Sequence, residues 1–588
     1  MADLLSIRDL RVYLDVDAGT VKAVDGVSFR VPAGGTVALV GESGSGKSVI
    51  AQSIMGILPR IARIESGEIL FRDPRLSADA PDSEIDLSRL DPRGPRMQRV
   101  RGDRLAIIFQ EPMTALSPLH TIGDQVGETL ALHRAGLGRA ERRAAVIETL
   151  RLVGFPDPVK AERTYPFTIQ AQILQLIAGL QRELGMAVLL ITHDLGVVAN
   201  MAAEVVVLYR GRVMEAGAIA EIFRDPRHPY LQALMRAVPR FNMAAGERLT
   251  PIREVLVTDD HLIATRGKST PPPPGTLLEV QHLSKRFRIR KRAAGRKREE
   301  ELLAVDDVSF SVAAGECLGL VGESGCGKTT TARMILRSVL PDGGAITFND
   351  HGVAKDVLSL KGEALFAYRR KVQFVFQDPF SSLNPRMTAY DIVSEPLVIH
   401  RIGDADERFQ RVKELMALVG LDVRFLRRYP HSFSGGQRQR IGIARALALG
   451  PELLLLDEPV SALDVSVQAQ VLNLLLDLRK ALNLTYIFIS HNLAVVNYLA
   501  DRIAVMCAGR LVELAPAAEL FRNPQHPYTK ALLAAVPDPH LEHKLDFDAL
   551  MQGKASDPAA WSSEFRIAEG RCPGMLDLGN EHLVRSRE

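Results

Sequence analysis

The chain has 588 residues, 46% of them hydrophobic and 24% charged, which is ordinary globular material but too long for a single core, so two large domains are expected. Its 73 basic and 70 acidic residues leave a net charge of +3, giving no ground for nucleic acid as a partner. No basic segment followed by an apolar stretch opens the chain, and apolar runs such as Leu453 to Leu456 fall far short of a membrane span, so a soluble protein is expected, with any membrane role reached through a partner.

In chain order, Val24 to Phe29 is a segment that recurs later, and a short apolar strand ending at Val40 enters a glycine loop, Gly41-Glu42-Ser43-Gly44-Ser45-Gly46-Lys47-Ser48, that opens a helix. Leu105 to Phe109 reads as a further strand leading to Gln110, and Val188 to Thr192 as another leading to His193. The first half ends on Arg227-His228-Pro229-Tyr230, and Arg240 to Gly275 then forms an irregular linker whose four prolines, Pro271 to Pro274, make it stiff. The pattern then repeats. Val305 to Phe310 matches Val24 to Phe29, Gly322-Glu323-Ser324-Gly325-Cys326-Gly327-Lys328-Thr329 matches the first loop, and Val375-Phe376-Gln377 matches Ile108-Phe109-Gln110. Ile489-Ser490-His491 and Gln525-His526-Pro527-Tyr528 complete the correspondence. The basic run Lys285 to Arg298 is expected to be a solvated loop. Cys317, Cys326, Cys507 and Cys572 show no metal-ligand or disulfide spacing, which suits a reducing, cytosolic compartment. Apolar strands alternating with amphipathic helices argue for tandem α/β domains, each on a parallel sheet. The expected boundaries are 1–240 and 277–540 for the two domains, 241–276 for the linker and 541–588 for a tail.

The repeat register exposes a gap. Tyr165 pairs with Tyr429 at an offset of 264, whereas Gln170 pairs with Gln468 at an offset of 298. The first half therefore lacks 34 residues, corresponding to about His431 through Val465, and both flanks stay in register. Ser434-Gly435-Gly436-Gln437, Asp457-Glu458-Pro459 and Ser461-Ala462-Leu463-Asp464 consequently occur in the second half alone.

A glycine loop between strand and helix wraps polyphosphate with backbone N–H groups, and the helix dipole favours the negative charge. Gly41, Ser43, Gly44, Gly46, Lys47 and Ser48, with Gly322, Ser324, Gly325, Gly327, Lys328 and Thr329, are the candidate ATP contacts. The lysines would reach the β and γ phosphates, and Ser48 and Thr329 would ligate Mg2+.

With Ser434 to Gln437 and Leu453 to Glu458 following the second loop, the chain resembles the ATP-binding cassette (ABC) ATPases over nearly its whole length. That resemblance implies tandem P-loop NTPase domains, the first lacking an interior strand and the signature helix. It implies that Asp457 and Gln377 join the Mg2+ shell and that Glu458 addresses the attacking water. Gln110 and Gln377 would be the Q-loop glutamines, His193 and His491 the switch histidines at the γ-phosphate, and Ser434, Gly435, Gly436 and Gln437 the signature facing the ATP of an opposing cassette. Tyr13 and Phe287 are candidates to stack on adenine. The paired His-Pro-Tyr segments resemble peptide-importer ATPases, where such a turn docks a terminal helix without performing chemistry. Two fused cassettes with such tails resemble the ATP-binding protein of a bacterial peptide or glutathione importer. Its expected partners are two permease subunits and a periplasmic binding protein, and its expected place is the cytoplasmic face of the inner membrane.

In that family each ATP lies between the loop of one cassette and the signature of another. The first loop here has no counterpart of Asp457 or Glu458, and the second loop has no signature contributed by the first half. No site is complete within one chain, and a homodimer through the second domains is one way to complete it. The gap also leads to the expectation that the first domain is poorly folded or rearranged around an incomplete sheet. Two alternatives stand beside the importer reading: a decayed product that binds nucleotide without coupled turnover, and a soluble tandem cassette protein acting on ribosomes or DNA.

Overall fold

The structure, a computed structural model, describes residues 3–16, 19–76, 83–109, 117, 120–134, 136–153, 158–162, 173–240, 243, 246–252, 275–293, 296–378, 380–536, 557–567 and 572–587. Gln110 and the residues at the excision junction, 163–172, lie outside them, as does most of the proline-rich linker. The chain forms two compact units, Met1–Gln232 and most of Ala233–Glu588.

The first unit layers an antiparallel sheet over a parallel one. The antiparallel strands run in the order Gly19–Pro32, Asp3–Val16, Ala62–Arg72, Glu84–Asp86. The other sheet runs Val188–Ile191, Thr36–Val40, Glu204–Tyr209, Arg212–Ala218, with its last pair antiparallel. Thr36–Val40 is buried along its whole length, as the continuous apolar pattern of a central parallel strand requires. Ile7, Leu10, Val12, Ile69 and Phe71 pack with Val37, Leu39 and Ile50 as the unit's core.

The second unit repeats this plan. Its antiparallel sheet orders Arg296–Ala313, Thr276–Ala293, Gly343–Asp350 and Val353–Asp356. Its main sheet runs Val372–Val375, Leu453–Asp457, Thr485–Ser490, Cys317–Val321, Arg502–Cys507, Arg510–Pro516, and then Leu583–Arg585 and Met575–Asp577. The last two strands come from the segment expected to be a tail; they extend the sheet at the edge of Arg510–Pro516.

Superposing the two strand orders shows what the excision did. The four strands of the first unit follow the same order as their counterparts in the second, so among the described residues the sheet is truncated rather than rearranged. Among the described residues two strands of that order have no counterpart in the first unit, although the missing segment spans only one of them. Val372–Val375 pairs with Leu453–Asp457 and with no other strand. The corresponding Leu105 to Phe109, expected to be a strand, has no such neighbour to donate its ladder; it forms none, and Ile108 is 66% exposed. Val188–Ile191 is left at the edge and half-buried, whereas its counterpart Thr485–Ser490 is buried throughout between two partners.

The basic run Lys285 to Arg298 is not a loop. Its described residues lie in the paired strands Thr276–Ala293 and Arg296–Ala313, with Glu301 opposite Arg288 and its carboxylate 3.7 Å from that guanidinium, a cross-strand pair of opposite charge. Part of the expected linker is also anchored: the Leu249 carbonyl accepts from Asn473 at 2.9 Å, its amide donates to the Tyr498 hydroxyl at 3.2 Å, and Arg248 pairs with Asp477 at 2.8 Å.

Candidate functional site

In the second unit, strand Cys317–Val321 turns through the loop into helix Lys328–Ile335. The turn needs glycine at two points. Gly322 (φ 145°) passes so close to the neighbouring strand that a Cβ would lie 2.1 Å from the Met506 carbonyl oxygen, and at Gly327 (φ 109°) one would lie 2.4 Å from that of Ala304. The Lys328 ammonium, 5% exposed, donates to the carbonyls of Gly322 at 2.7 Å and Glu323 at 2.8 Å. Among the described residues no carboxylate pairs with it. A buried ammonium held only by neutral acceptors at the start of a helix is a fit for a polyphosphate.

Strand Leu453–Asp457 brings the carboxylates to this point. Asp457 accepts from the Thr329 hydroxyl at 3.0 Å, so the two expected Mg2+ ligands already share an edge of the site. Glu458 follows in a left-handed conformation (φ 45°), which turns its side chain away from the strand line. Its two oxygens are bracketed: Oε2 accepts from Gln377 at 2.8 Å, and Oε1 lies 3.0 Å from His491 Nδ1. Strand Thr485–Ser490 delivers that histidine, and Val372–Val375 delivers the glutamine.

The environments split the two acids. Burial raises Asp457 above the usual carboxylate range, and the Glu458 charge adds to it against the Thr329 hydrogen bond. Burial also opposes ionisation of Glu458, but the hydrogen bond and charge of His491, with Lys328 and Gln377, outweigh it and hold Glu458 below its ordinary value. The group suited to orient and deprotonate water is thus the one whose charged form its surroundings favour.

Ser434 caps helix Gly435–Leu447, accepting from the Gln437 amide at 3.3 Å, while the Gln437 side chain accepts from the Ser434 amide at 3.0 Å. Gly436 is required by packing: a Cβ there would lie 2.0 Å from Val467 Cγ1.

In the first unit the cradle persists. Lys47 donates to the carbonyls of Gly41 and Glu42, each at 2.7 Å, and to Ser45 Oγ at 3.1 Å, and Gly46 (φ 100°) opens helix Lys47–Met55. Ser43, Gly44 and Ser48 occupy the positions of Ser324, Gly325 and Thr329. His193 follows strand Val188–Ile191 as His491 follows its own. Among the described residues no carboxylate strand stands where Asp457 and Glu458 stand, in keeping with the segment missing from the repeat. The aromatic candidates Tyr13 and Phe287 each have a lysine ammonium over the ring, Lys22 at 5.5 Å and Lys285 at 5.6 Å.

This arrangement of loop, strand-end carboxylates and capped signature carries the decision, and the ABC transporter family profile matches residues 24–194 and 305–461. The chain belongs to the ABC transporter ATPases. The profile of the oligopeptide/dipeptide transporter C-terminal region matches 214–260 and 512–565, both containing His-Pro-Tyr. The glutathione import ATP-binding protein GsiA of Pectobacterium atrosepticum is 41% identical over 578 residues, covering 91% of this chain and 89% of its own. The oligopeptide transport ATP-binding protein OppD of Mycobacterium tuberculosis is 38% identical over 625 residues, covering 92% and 99%. Since 92% of 588 residues is about 541, the 625-residue match runs about 84 residues beyond what this chain supplies, ample room for the excised segment. Among solved structures, the dimeric ATP-binding cassette MJ0796 bound to ADP and Pi matches at 28% identity and a TM-score of 0.36, over 41% of this chain and 98% of its own. ABC cassettes bind ATP, and no described helix is long and apolar enough to cross a membrane.

Sequence reasoning missed the reach of His-Pro-Tyr. The Tyr528 hydroxyl accepts from the Glu323 amide inside the phosphate loop at 3.0 Å, and Tyr230 accepts from the Glu42 amide at the same distance. It also missed Glu513 beneath that turn, fully buried, accepting the Gln525 and His526 amides and lying 2.8 Å from His582 Nε2. The repeated tyrosine was a visible signal; what it touches was not.

Proposed function

We propose that the chain is the energy-coupling ATPase subunit of a bacterial ABC importer for peptides or glutathione. It would be bound peripherally to the cytoplasmic face of the inner membrane through two permease subunits, with a periplasmic protein supplying the substrate. The observation that carries the reading is Glu458 held between Gln377 and His491 beside the Thr329–Asp457 pair. Bound Mg2+ would lower the charge on the phosphates, with Thr329, Asp457 and Gln377 as its holders. Glu458 orients water and takes its proton, His491 and Gln377 fix the carboxylate, and Lys328 with the loop amides of Gly325 and Gly327 holds the phosphates. Lys47 and Ser48 bind nucleotide in the first unit without hydrolysis. The substrate class rests on the relatives' names and on the matched C-terminal region.

A second reading has support from one feature, the truncated sheet of the first unit: nucleotide binding without coupled transport. Reconstitution with the permeases separates the two. Substrate-stimulated ATPase that falls by about a hundredfold or more in Glu458→Gln, with ATP binding retained, supports coupling. Binding with no transport in the unaltered chain supports the second reading.

A further inference from the structure

The Gly322 carbonyl and the Glu323 N–H belong to one peptide group, and two side chains hold its opposite ends. Lys328 donates to the carbonyl at 2.7 Å, and the Tyr528 hydroxyl accepts from the N–H at 3.0 Å. The first unit reproduces the arrangement with Lys47 on the Gly41 carbonyl at 2.7 Å and Tyr230 on the Glu42 amide at 3.0 Å. A tyrosine some 200 residues downstream therefore reaches the same peptide of the phosphate loop in both units.

Tyr528 is itself firmly placed. Its side chain is 1% exposed, and it sits at the start of helix Pro527–Ala534, where its amide donates to His526 Nδ1 at 3.1 Å. The amides of Gln525 and His526 end on the buried Glu513 carboxylate. Glu513 lies on strand Arg510–Pro516, which pairs with Arg502–Cys507, the neighbour of the loop's own strand. In the first unit Glu215 accepts the Arg227 and His228 amides at 3.1 and 2.9 Å. The turn is anchored to the sheet that carries the loop, so the hydroxyl has a fixed position relative to it.

Lys328 has three N–H donors, so an ammonium that also engages phosphate divides them between phosphate and the loop carbonyls, and its hold on the Gly322 carbonyl is weakened. A glycine at φ 145° then offers little resistance to rotation of the peptide. We infer that Tyr528 is a positioning residue, a tie behind the phosphate loop that keeps the Gly322–Glu323 peptide oriented while Lys328 engages polyphosphate, and that Tyr230 does the same for the first loop. The inference rests on the reading of these loops as ATP sites, and it gives the His-Pro-Tyr turn a part in nucleotide binding beyond docking a helix.

The test uses the full chain carrying Lys47→Ala, so that the second loop reports alone. Dissociation constants for MgATP and nucleotide-free melting midpoints are measured for this background and with Tyr528→Phe, Trp561→Leu or Lys328→Ala added. Trp561 packs against His526 and Tyr528, so its substitution loosens the same tail without removing the hydroxyl. Tyr528→Phe is expected to weaken MgATP binding about three- to tenfold, the scale of one modest hydrogen bond, while Trp561→Leu lowers the midpoint with less effect on affinity. Unchanged affinity in Tyr528→Phe overturns the inference, as does a loss in both variants that tracks their midpoints. Lys328→Ala binding as tightly as the background overturns the ATP-site reading itself, and the tie falls with it.

Discussion

Hydrogen exchange across the two parallel sheets gives the sharpest measure of what the excision cost. Leu453, Leu454, Leu455 and Leu456 are each 0% exposed in the second unit. At about 1.5–3 kcal/mol per buried leucine the absent counterpart strand forfeits roughly 6–12 kcal/mol, comparable with the roughly 5–15 kcal/mol that holds a whole domain together. The structure adds a second loss, since Leu105 to Phe109 forms no ladder and exposes Ile108 and Phe109. Even a shortfall of about 4 kcal/mol corresponds to about a thousandfold in opening equilibrium. Amide exchange read by mass spectrometry on the intact chain is therefore expected to be at least about a thousandfold faster in Thr36–Val40 and Val188–Ile191 than in Cys317–Val321 and Thr485–Ser490. Inserting the 34-residue segment patterned on the second unit should restore protection to the first. Equal protection of the two sheets in the unaltered chain would refute the reasoning, because the surviving four strands would then carry a full domain's stability.

Two further outcomes follow from buried groups. In Gly436→Ala the new Cβ meets Val467, a β-branched side chain with little rotamer freedom in its helix; overpacking of about 1–3 kcal/mol outweighs the gain of about 1 kcal/mol in helix propensity, so urea unfolding of the second unit should shift to lower concentration, and an unchanged midpoint contradicts the packing argument. Burial, with Arg585 nearby, pushes His526 down to about 3. The native state then refuses a proton that the unfolded chain accepts below its ordinary value of 6.5, so stability is intact above that value and falls as pH drops toward 3. Between pH 6.5 and 5 this one group removes about 2 kcal/mol. His526→Asn, which keeps a capping side chain, should flatten that acid slope in urea midpoints measured across the interval; a parallel slope would rule His526 out.

Much of the site was legible because its chemistry is local in sequence. The glycine loops, the strand ending in Asp457-Glu458 and the capped Ser434 helix each lie within one short stretch, and the repeat register located the excision. What escaped was set by pairing between distant segments. Leu105 to Phe109 has the pattern of a strand, but a ladder needs a neighbour, and its neighbour's counterpart is Leu453–Asp457. The run Lys285 to Arg298 looks too charged for a strand until Glu301 is seen opposite Arg288. The contact of Tyr528 with Glu323 spans 205 residues of sequence, and no periodicity reports such a distance.

The order of strands in the main sheet has a consequence for how such a protein can lose its parts. The phosphate loop issues from Cys317–Val321, and Asp457 and Glu458, the carboxylates of the proposed site, from the end of Leu453–Asp457, with Thr485–Ser490 standing between them. In the proposed roles, nucleotide capture and bond cleavage are thus rooted on separate strands that do not touch, and the capturing strand lies nearer the centre. A cut that removes the carboxylate strand takes everything outside it and leaves the loop flanked on both sides, as Thr36–Val40 still is. On the proposed roles, cleavage belongs to the outer layer of this architecture and capture to the inner one.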